Sequence, residues 1–296
     1  MNQLSRFAGI DIGSNAVRLL IGNIIQKDDE TFFKKGALIR IPVRLGSDVF
    51  STGEISKGNL DLLCETMLGF KHLMNAHQVI HYKALATAAM REAKNAKQVT
   101  KYIKENTNIN IEIIDGKTEA NILYQLEKEN NYAHQDYLFV DVGGGSTEIT
   151  LFQGGHVVFS KSFKVGTLRL LHSPLDKTEW DKMKQFLKSG VAPGDVVIVG
   201  SGGNINKVFK MTNAEKDDSL SYRYLKTLLE ELQSMEYVER ILQFDLNPDR
   251  ADVILPALEI FTKIMKWTGI NEVFVPKMGL SDGIVRLAYD EYMQQS

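Results

Sequence analysis

The stretch that most constrains this chain is Leu138-Phe139-Val140-Asp141-Val142-Gly143-Gly144-Gly145-Ser146-Thr147-Glu148. It sets a carboxylate at the end of an apolar run, three glycines behind it and a second carboxylate beyond. Three successive residues without a Cβ let a backbone reach φ > 0, so that several N–H groups can converge on an anion a bulkier loop would exclude. Asp141 and Glu148 offer oxygen ligands suited to a hard cation such as Mg2+, which usually arrives with phosphates. A glycine-rich hairpin turn would also explain the stretch taken alone. A second, smaller copy, Phe7-Ala8-Gly9-Ile10-Asp11-Ile12-Gly13-Ser14-Asn15, argues against that. It lies about half the chain earlier, and the repetition predicts two related halves, each opening with an acidic strand end and a phosphate-type turn.

The element behind each turn decides between phosphate-binding folds. Val17 to Ile25 and Thr147 to Phe152, the latter with His156 to Ser160 beyond it, read as strands of hairpins. A dinucleotide fold or a Walker loop needs a helix at that place. Gly116-Lys117-Thr118 looks like the tail of a Walker motif, but the earlier glycine it requires falls at Ile111, so the P-loop is rejected.

Composition removes other classes. With 296 residues, 44% hydrophobic and 24% charged, the chain is long enough for two domains with ordinary soluble cores. A formal charge of −2 gives no field to draw in a polyanion, so an anionic substrate must be held by loop amides, a metal and a few placed Arg or Lys. Nucleic acid is not expected as a partner. Cys64 is the sole cysteine, which excludes an internal disulfide and a cysteine-rich metal site, and its helical context reads as a buried, inert thiol. The six histidines show no ligand spacing. Neither a leader segment nor an apolar run of about 20 residues is visible, so no membrane association and a cytoplasmic location are expected.

Taken in order, the chain predicts strands over 31–45, a helix capped by Ser56 to about His77, and a strand near 83–86 running into Thr87-Ala88-Ala89-Met90-Arg91. Arg91 could be an ordinary surface arginine, but strand ends followed by small-residue turns are where open α/β sheets place ligand contacts. A helix near 97–105 and a strand over 109–114 lead to Thr118, read as an N-cap, and Glu119 in a first helical turn, where it complements the helix dipole. The polar stretch 127–136 is the expected boundary between domains 1–127 and 137–296, with the last helix, 283–296, packing back on the first. The second half predicts a helix over 177–188, a strand over 196–199 into the Gly200–Gly203 turn, long helices over 221–243 and 250–267, and a strand over 272–275.

Asp11 to Asn15, Thr87 to Asn95, Gly116 to Ala120, Asp141 to Glu148 and Ser281-Asp282-Gly283, in this order, resemble the exopolyphosphatase and guanosine pentaphosphate phosphatase family, Ppx/GppA, over nearly the whole chain, in its short two-domain form. The resemblance implies two ribonuclease-H-like α/β domains of the actin-like ATPase superfamily with an active site in the cleft between them. It implies Glu119 as the base that activates water, Arg91 as a phosphate contact, and Asp141 and Glu148 as metal-associated and catalytic carboxylates holding Mg2+ or Mn2+. Gly13, Ser14, Asn15, Gly144, Gly145 and Ser146 match the two phosphate-cradling loops. The implied activity is release of terminal phosphate from polyphosphate or guanosine pentaphosphate, by a homodimer. Thr118, Ala16 and Asn204 depart from the family pattern, removing one acidic and one hydroxyl contact and a threonine, but none removes the catalytic glutamate; the likeness to the short, two-domain branch does not imply processive degradation of long chains. The rivals are a non-catalytic sensor of guanosine tetra- or pentaphosphate with the same fold, and a sugar or acetate kinase of the superfamily, for which no distinct catalytic aspartate stands out.

Overall fold

The computed structural model describes residues 3–28, 30–127, 136–173, 177–191, 196–212, 219–276 and 278–295. Contacts divide the chain into two units, Met1–Leu126 with Met278–Ser296, and Glu127–Lys277. Most of the polar stretch expected as a boundary, 128–135, lies outside the described residues.

The first unit opens with three antiparallel strands, β1 (Gln3–Ile12), β2 (Val17–Lys27) and β3 (Glu30–Ile41), followed by helices α1 (Leu45–Thr52) and α2 (Lys57–Ala76). Strand β4 (His81–Ala86), helices α3 (Ala88–Glu92) and α4 (Ala96–Thr107), strand β5 (Glu112–Ile113) and helix α5 (Gly116–Glu127) complete its first part. The sheet order is β3-β2-β1-β4-β5, with β4 and β5 parallel to β1. Helix α2 shows why its sequence is helical: Leu63, Met67, Phe70 and Met74 recur at helical spacing and are all buried, and the Ser56 hydroxyl accepts the Asn59 N–H at its start. Cys64 is buried on the same helix, and burial, with Glu65 and Asp61 beside it, pushes its thiol pKa up, away from reactivity.

The second unit repeats the plan. Strands β6 (Tyr137–Val142), β7 (Thr147–Gln153) and β8 (His156–Phe163) form an antiparallel set, followed by helices α6 (Thr167–His172) and α7 (Lys177–Gly190) and by β9 (Val197–Ser201), parallel to β6. Then come α8 (Gly203–Met211), β10 (Ser219–Ser221), α9 (Tyr222–Ser234), α10 (Tyr237–Phe244), α11 (Pro248–Ala251), α12 (Ile254–Thr268) and β11 (Glu272–Phe274). Its sheet order, β8-β7-β6-β9-β11-β10, reproduces the first with one added edge strand. Its core runs from Leu138, Val140 and Ile149 through Leu225 and Leu228 to Ile260, Phe261 and Ile264.

Three expectations change. The helix expected over 221–243 is two helices: Met235 is extended, and Glu236 starts a new helix through a reciprocal capping box with Glu239. The strand expected over 109–114 narrows to Glu112–Ile113. The strand expected to 45 ends at Ile41, and helix α1, which was not expected, follows after Arg44 takes a left-handed conformation.

The last helix, α13 (Leu280–Gln295), lies in the first unit and packs Val285 and Ala288 against Phe7, Leu20 and Ile24. The Tyr289 ring meets Phe7 edge-on at 5.4 Å, and Lys83 pairs with Glu291. The close approach depends on Gly9, where a Cβ would lie 2.8 Å from the Ser281 carbonyl oxygen and 3.0 Å from the Val285 nitrogen. Both obstacles are backbone, so Gly9→Ala is expected to destabilise the protein by about 1–3 kcal/mol, the usual cost of overpacking. A urea midpoint unchanged from wild type would contradict this packing.

Candidate active site

In the first unit the β1–β2 turn is closed by the Gly13 N–H to the Ala16 carbonyl (3.1 Å). Gly46 donates to the Ser14 carbonyl (2.8 Å) and Arg44 to the Asn15 carbonyl (3.0 Å), so the segment entering α1 braces the loop from behind. Asp11, only 3% exposed, stands across the strand pair from Arg18 and accepts from its Nη1 at 2.7 Å. Ser281 Oγ lies 3.5 Å from the same carboxylate.

The β6–β7 turn of the second unit closes in the same way, Gly143 N–H to the Ser146 carbonyl at 3.0 Å. Here the residue across from Asp141 is Glu148, and carboxylate oxygens of the two lie within 4.8 Å. Glu148 is 2% exposed, and its Oε1 accepts from Ser146 Oγ (2.7 Å) and Ser162 Oγ (2.8 Å), which fixes how the carboxylate is turned. The glycine loop is held from outside by α6: Thr167 donates to the Gly143 carbonyl, Leu168 and Arg169 donate to that of Gly144, and the Arg169 side chain donates to that of Gly145. Gly166 makes this possible, since a Cβ there would lie 2.5 Å from the Ser146 nitrogen. Gly143 itself does not use the left-handed region that three successive glycines led us to expect. A glycine packed against the end of β6 that has a positive φ is Gly202, at 121° before α8, where a Cβ would press on the Val142 carbonyl at 2.6 Å.

Arg91 and Glu119 come together within the first unit. Arg91 Nη1 donates to the Ile114 carbonyl (2.8 Å) and lies 3.7 Å from Glu119 Oε2, on a carboxylate 7% exposed. Helix α5 begins three residues earlier than its sequence suggests. Asp115, rather than Thr118, caps it, its Oδ1 accepting the Thr118 N–H at 2.7 Å while its carbonyl accepts from Glu119. This bond places Glu119 at the start of the helix.

Comparison with known proteins supplies the family. The model of the Ppx/GppA phosphatase family matches residues 24–290. The chain belongs to the Ppx/GppA phosphatase family. A guanosine-5'-triphosphate,3'-diphosphate pyrophosphatase of Aliivibrio fischeri is 24% identical over 309 residues, covering 98% of this chain and 61% of that protein; one of Photobacterium profundum is 25% identical, covering 94% and 58%. The chain thus spans about three fifths of the length of these curated relatives. Among solved structures, the Aquifex aeolicus Ppx/GppA member is 26% identical with a TM-score of 0.75, covering 99% of this chain and all of that one. An exopolyphosphatase of Cytophaga hutchinsonii is 23% identical, with a TM-score of 0.80 over 97% of this chain and 98% of the other. The two sheets and these likenesses place the Ppx/GppA chain in the expected α/β class of two actin-like, ribonuclease-H-like domains.

Within this Ppx/GppA chain the expected site residues fall into three groups: Gly13, Ser14 and Asn15 in the first loop; Asp141, Gly144, Gly145, Ser146 and Glu148 in the second; and Arg91 with Glu119. Sequence reasoning alone passes over Arg18, Ser162 and Gly166. Arg18 carried a usable signal, because it stands as far beyond Asp11 as Glu148 does beyond Asp141. Gly166 carried none, since a lone glycine reveals its close approach only in three dimensions.

The α5 cap is testable by pH. The Thr118 amide, then the Thr118 hydroxyl and more weakly Arg91 and Lys117, lower the pKa of Asp115 against a small opposing effect of burial. Because the folded value is depressed, the ionised cap stabilises the protein fully above the ordinary carboxylate range and is lost as pH falls through the folded value. The stability difference between wild type and Asp115→Ala should be largest near neutrality and disappear in strong acid. A difference that persists unchanged into strong acid would contradict the cap.

Proposed function

We propose that this Ppx/GppA member hydrolyses terminal phosphoanhydride bonds, releasing orthophosphate from inorganic polyphosphate or from guanosine pentaphosphate. The observation that carries the reading is the Asp141–Glu148 pair, set directly across a strand pair beside the Gly143–Gly145 loop. Two carboxylates at that spacing are costly unless a cation lies with them, and their all-oxygen donor set fits Mg2+ or Mn2+. When bound there, such a cation would neutralise charge on the phosphate and on the leaving oxygen. The matching pair in the first unit, Asp11 with Arg18, is already neutralised internally, which favours the second unit as the metal-holding one.

Phosphoryl transfer asks little covalent chemistry of a protein: the phosphate is held, its charge offset and a water oriented in line. In this proposal Glu119 takes a proton from the attacking water as its oxygen bonds to the terminal phosphorus, and the bridging P–O bond breaks to release the shortened chain. Arg91 orients the Glu119 carboxylate and contacts the phosphate. Backbone amides of the Gly13–Asn15 and Gly144–Ser146 segments receive its oxygens. The names of the relatives from Aliivibrio fischeri and Cytophaga hutchinsonii support the two substrate candidates, a guanosine pentaphosphate and polyphosphate.

Phosphate release compared on polyphosphates of several lengths and on guanosine pentaphosphate tests the proposal. Glu119→Gln is expected to lower turnover by about 10²–10⁴-fold without changing the melting temperature, as removal of a general base does. Undiminished release by that variant would refute the role of Glu119. Tight nucleotide binding by the wild-type protein with no release from either substrate would instead establish the sensor.

A further inference from the structure

The face of the second sheet that carries Asp141 and Glu148 holds more oxygen than those two carboxylates. Leu138 and Val140 on β6 and Ile149 and Leu151 on β7 belong to the core, so by strand alternation Asp141 and Glu148 leave the opposite face. On β9 the core side is taken by Ile198 and by Gly200, where a Cβ would meet Val273 Cγ1 at 2.6 Å. Ser201 therefore leaves the sheet on the acidic face, beside its Cα partner Asp141 on the adjacent parallel strand, about 4.8 Å away. In register the row reads Ser201, Asp141, Glu148, Ser162. Other hydroxyls near the row have partners: Ser146 and Ser162 donate to Glu148 Oε1, and Thr150 and Ser160 bond each other at 2.8 Å. Ser201 differs. It is 3% exposed, and its hydroxyl has no hydrogen-bond partner among the described residues. A hydroxyl taken out of water without a partner is costly, and its place next to a carboxylate pair calls for a ligand there.

We infer that Ser201 Oγ is a third oxygen contact for the divalent cation, beside Asp141 and Glu148. The three residues come from neighbouring strands, β9, β6 and β7, at one register level within the second unit. A neutral hydroxyl supplies a hard oxygen without adding to the repulsion between the two carboxylates, as a third acidic residue would. Ser162 has a different part: bonded to Glu148, it positions that carboxylate. The ligand class is a hard divalent cation, Mg2+ or Mn2+, and the inference rests on the reading of the acidic pair as a cation site.

The test is calorimetric titration of Mn2+ and of Cd2+ into the wild type, Ser201→Ala and Ser201→Cys, with melting temperatures measured in EDTA. Ser201→Ala should weaken Mn2+ binding about tenfold or more. Ser201→Cys should weaken Mn2+ as well but tighten Cd2+ about tenfold or more, because a thiolate prefers the softer ion. Cys64, buried on α2, is common to all three proteins, so the wild type sets the Cd2+ background. Without metal, Ser201→Ala should melt no lower than the wild type, since the hydroxyl it removes bonds none of the described residues. A lower melting temperature in EDTA, Mn2+ affinity unaltered by Ser201→Ala, or loss of Mn2+ in Ser201→Cys without a gain in Cd2+ would overturn the contact. Failure of the underlying cation-site reading is separately visible, because the wild type itself would then bind no Mn2+.

Discussion

Two carboxylates of like charge, held face to face by an antiparallel register, are the constraint around which the second unit is built. At an effective dielectric near 20, unit charges about 5 Å apart repel by roughly 3 kcal/mol. The backbones of Asp141 and Glu148 cannot separate without shifting the register of β6 and β7, which would turn the apolar side chains of both strands to the wrong face. The surroundings hold the pair in place. Ser146 and Ser162 fix Glu148, α6 clamps the glycine loop through its carbonyls, and Gly166 and Gly202 allow neighbouring segments to approach closer than any other residue would.

The same scaffold in the first unit carries a different charge pattern. The turn closure between Gly13 and Ala16 is reproduced between Gly143 and Ser146, and the strand order is reproduced as well. Yet the position occupied by Glu148 in one unit is Arg18 in the other, already paired with Asp11. A single architecture thus carries an acidic pair in one unit and an internally neutralised pair in the other. Helix α5, which carries Glu119, is held by separate means: Asp115 at its cap, Arg91 beside Glu119, and α13 packed against it through Ile284 and Ile122.

The repeat, the hairpins behind both turns and the long amphipathic helices were legible because each depends on local periodicity or on residues adjacent in the chain. The Ser56 cap and the buried stripe of α2 follow from spacing alone. What was not legible depended on distant partners or on unusual choices at local sites. Glu236 is an uncommon N-cap, so the break between α9 and α10 was hidden inside one continuous amphipathic pattern. Arg44 adopts a left-handed conformation that bulky residues rarely take, so α1 had no visible start. Thr118 looked like the better cap on residue preference, yet Asp115 reaches the same amide from one turn earlier. Glu119 shows the limit most clearly: from its own neighbourhood it is a dipole-complementing glutamate, and only its family position and its place beside Arg91 single it out.

The proposed chemistry depends above all on the Asp141–Glu148 pair as the binding site for the divalent cation. Electron paramagnetic resonance titration of Mn2+ into the wild-type protein and into Glu148→Arg measures it directly, because that substitution gives the second unit the charge pattern of the first. Tight Mn2+ binding is predicted for the wild type, with its loss, by about a hundredfold or more, in a Glu148→Arg protein that remains folded. Mn2+ binding of equal affinity in both would contradict the pair's role.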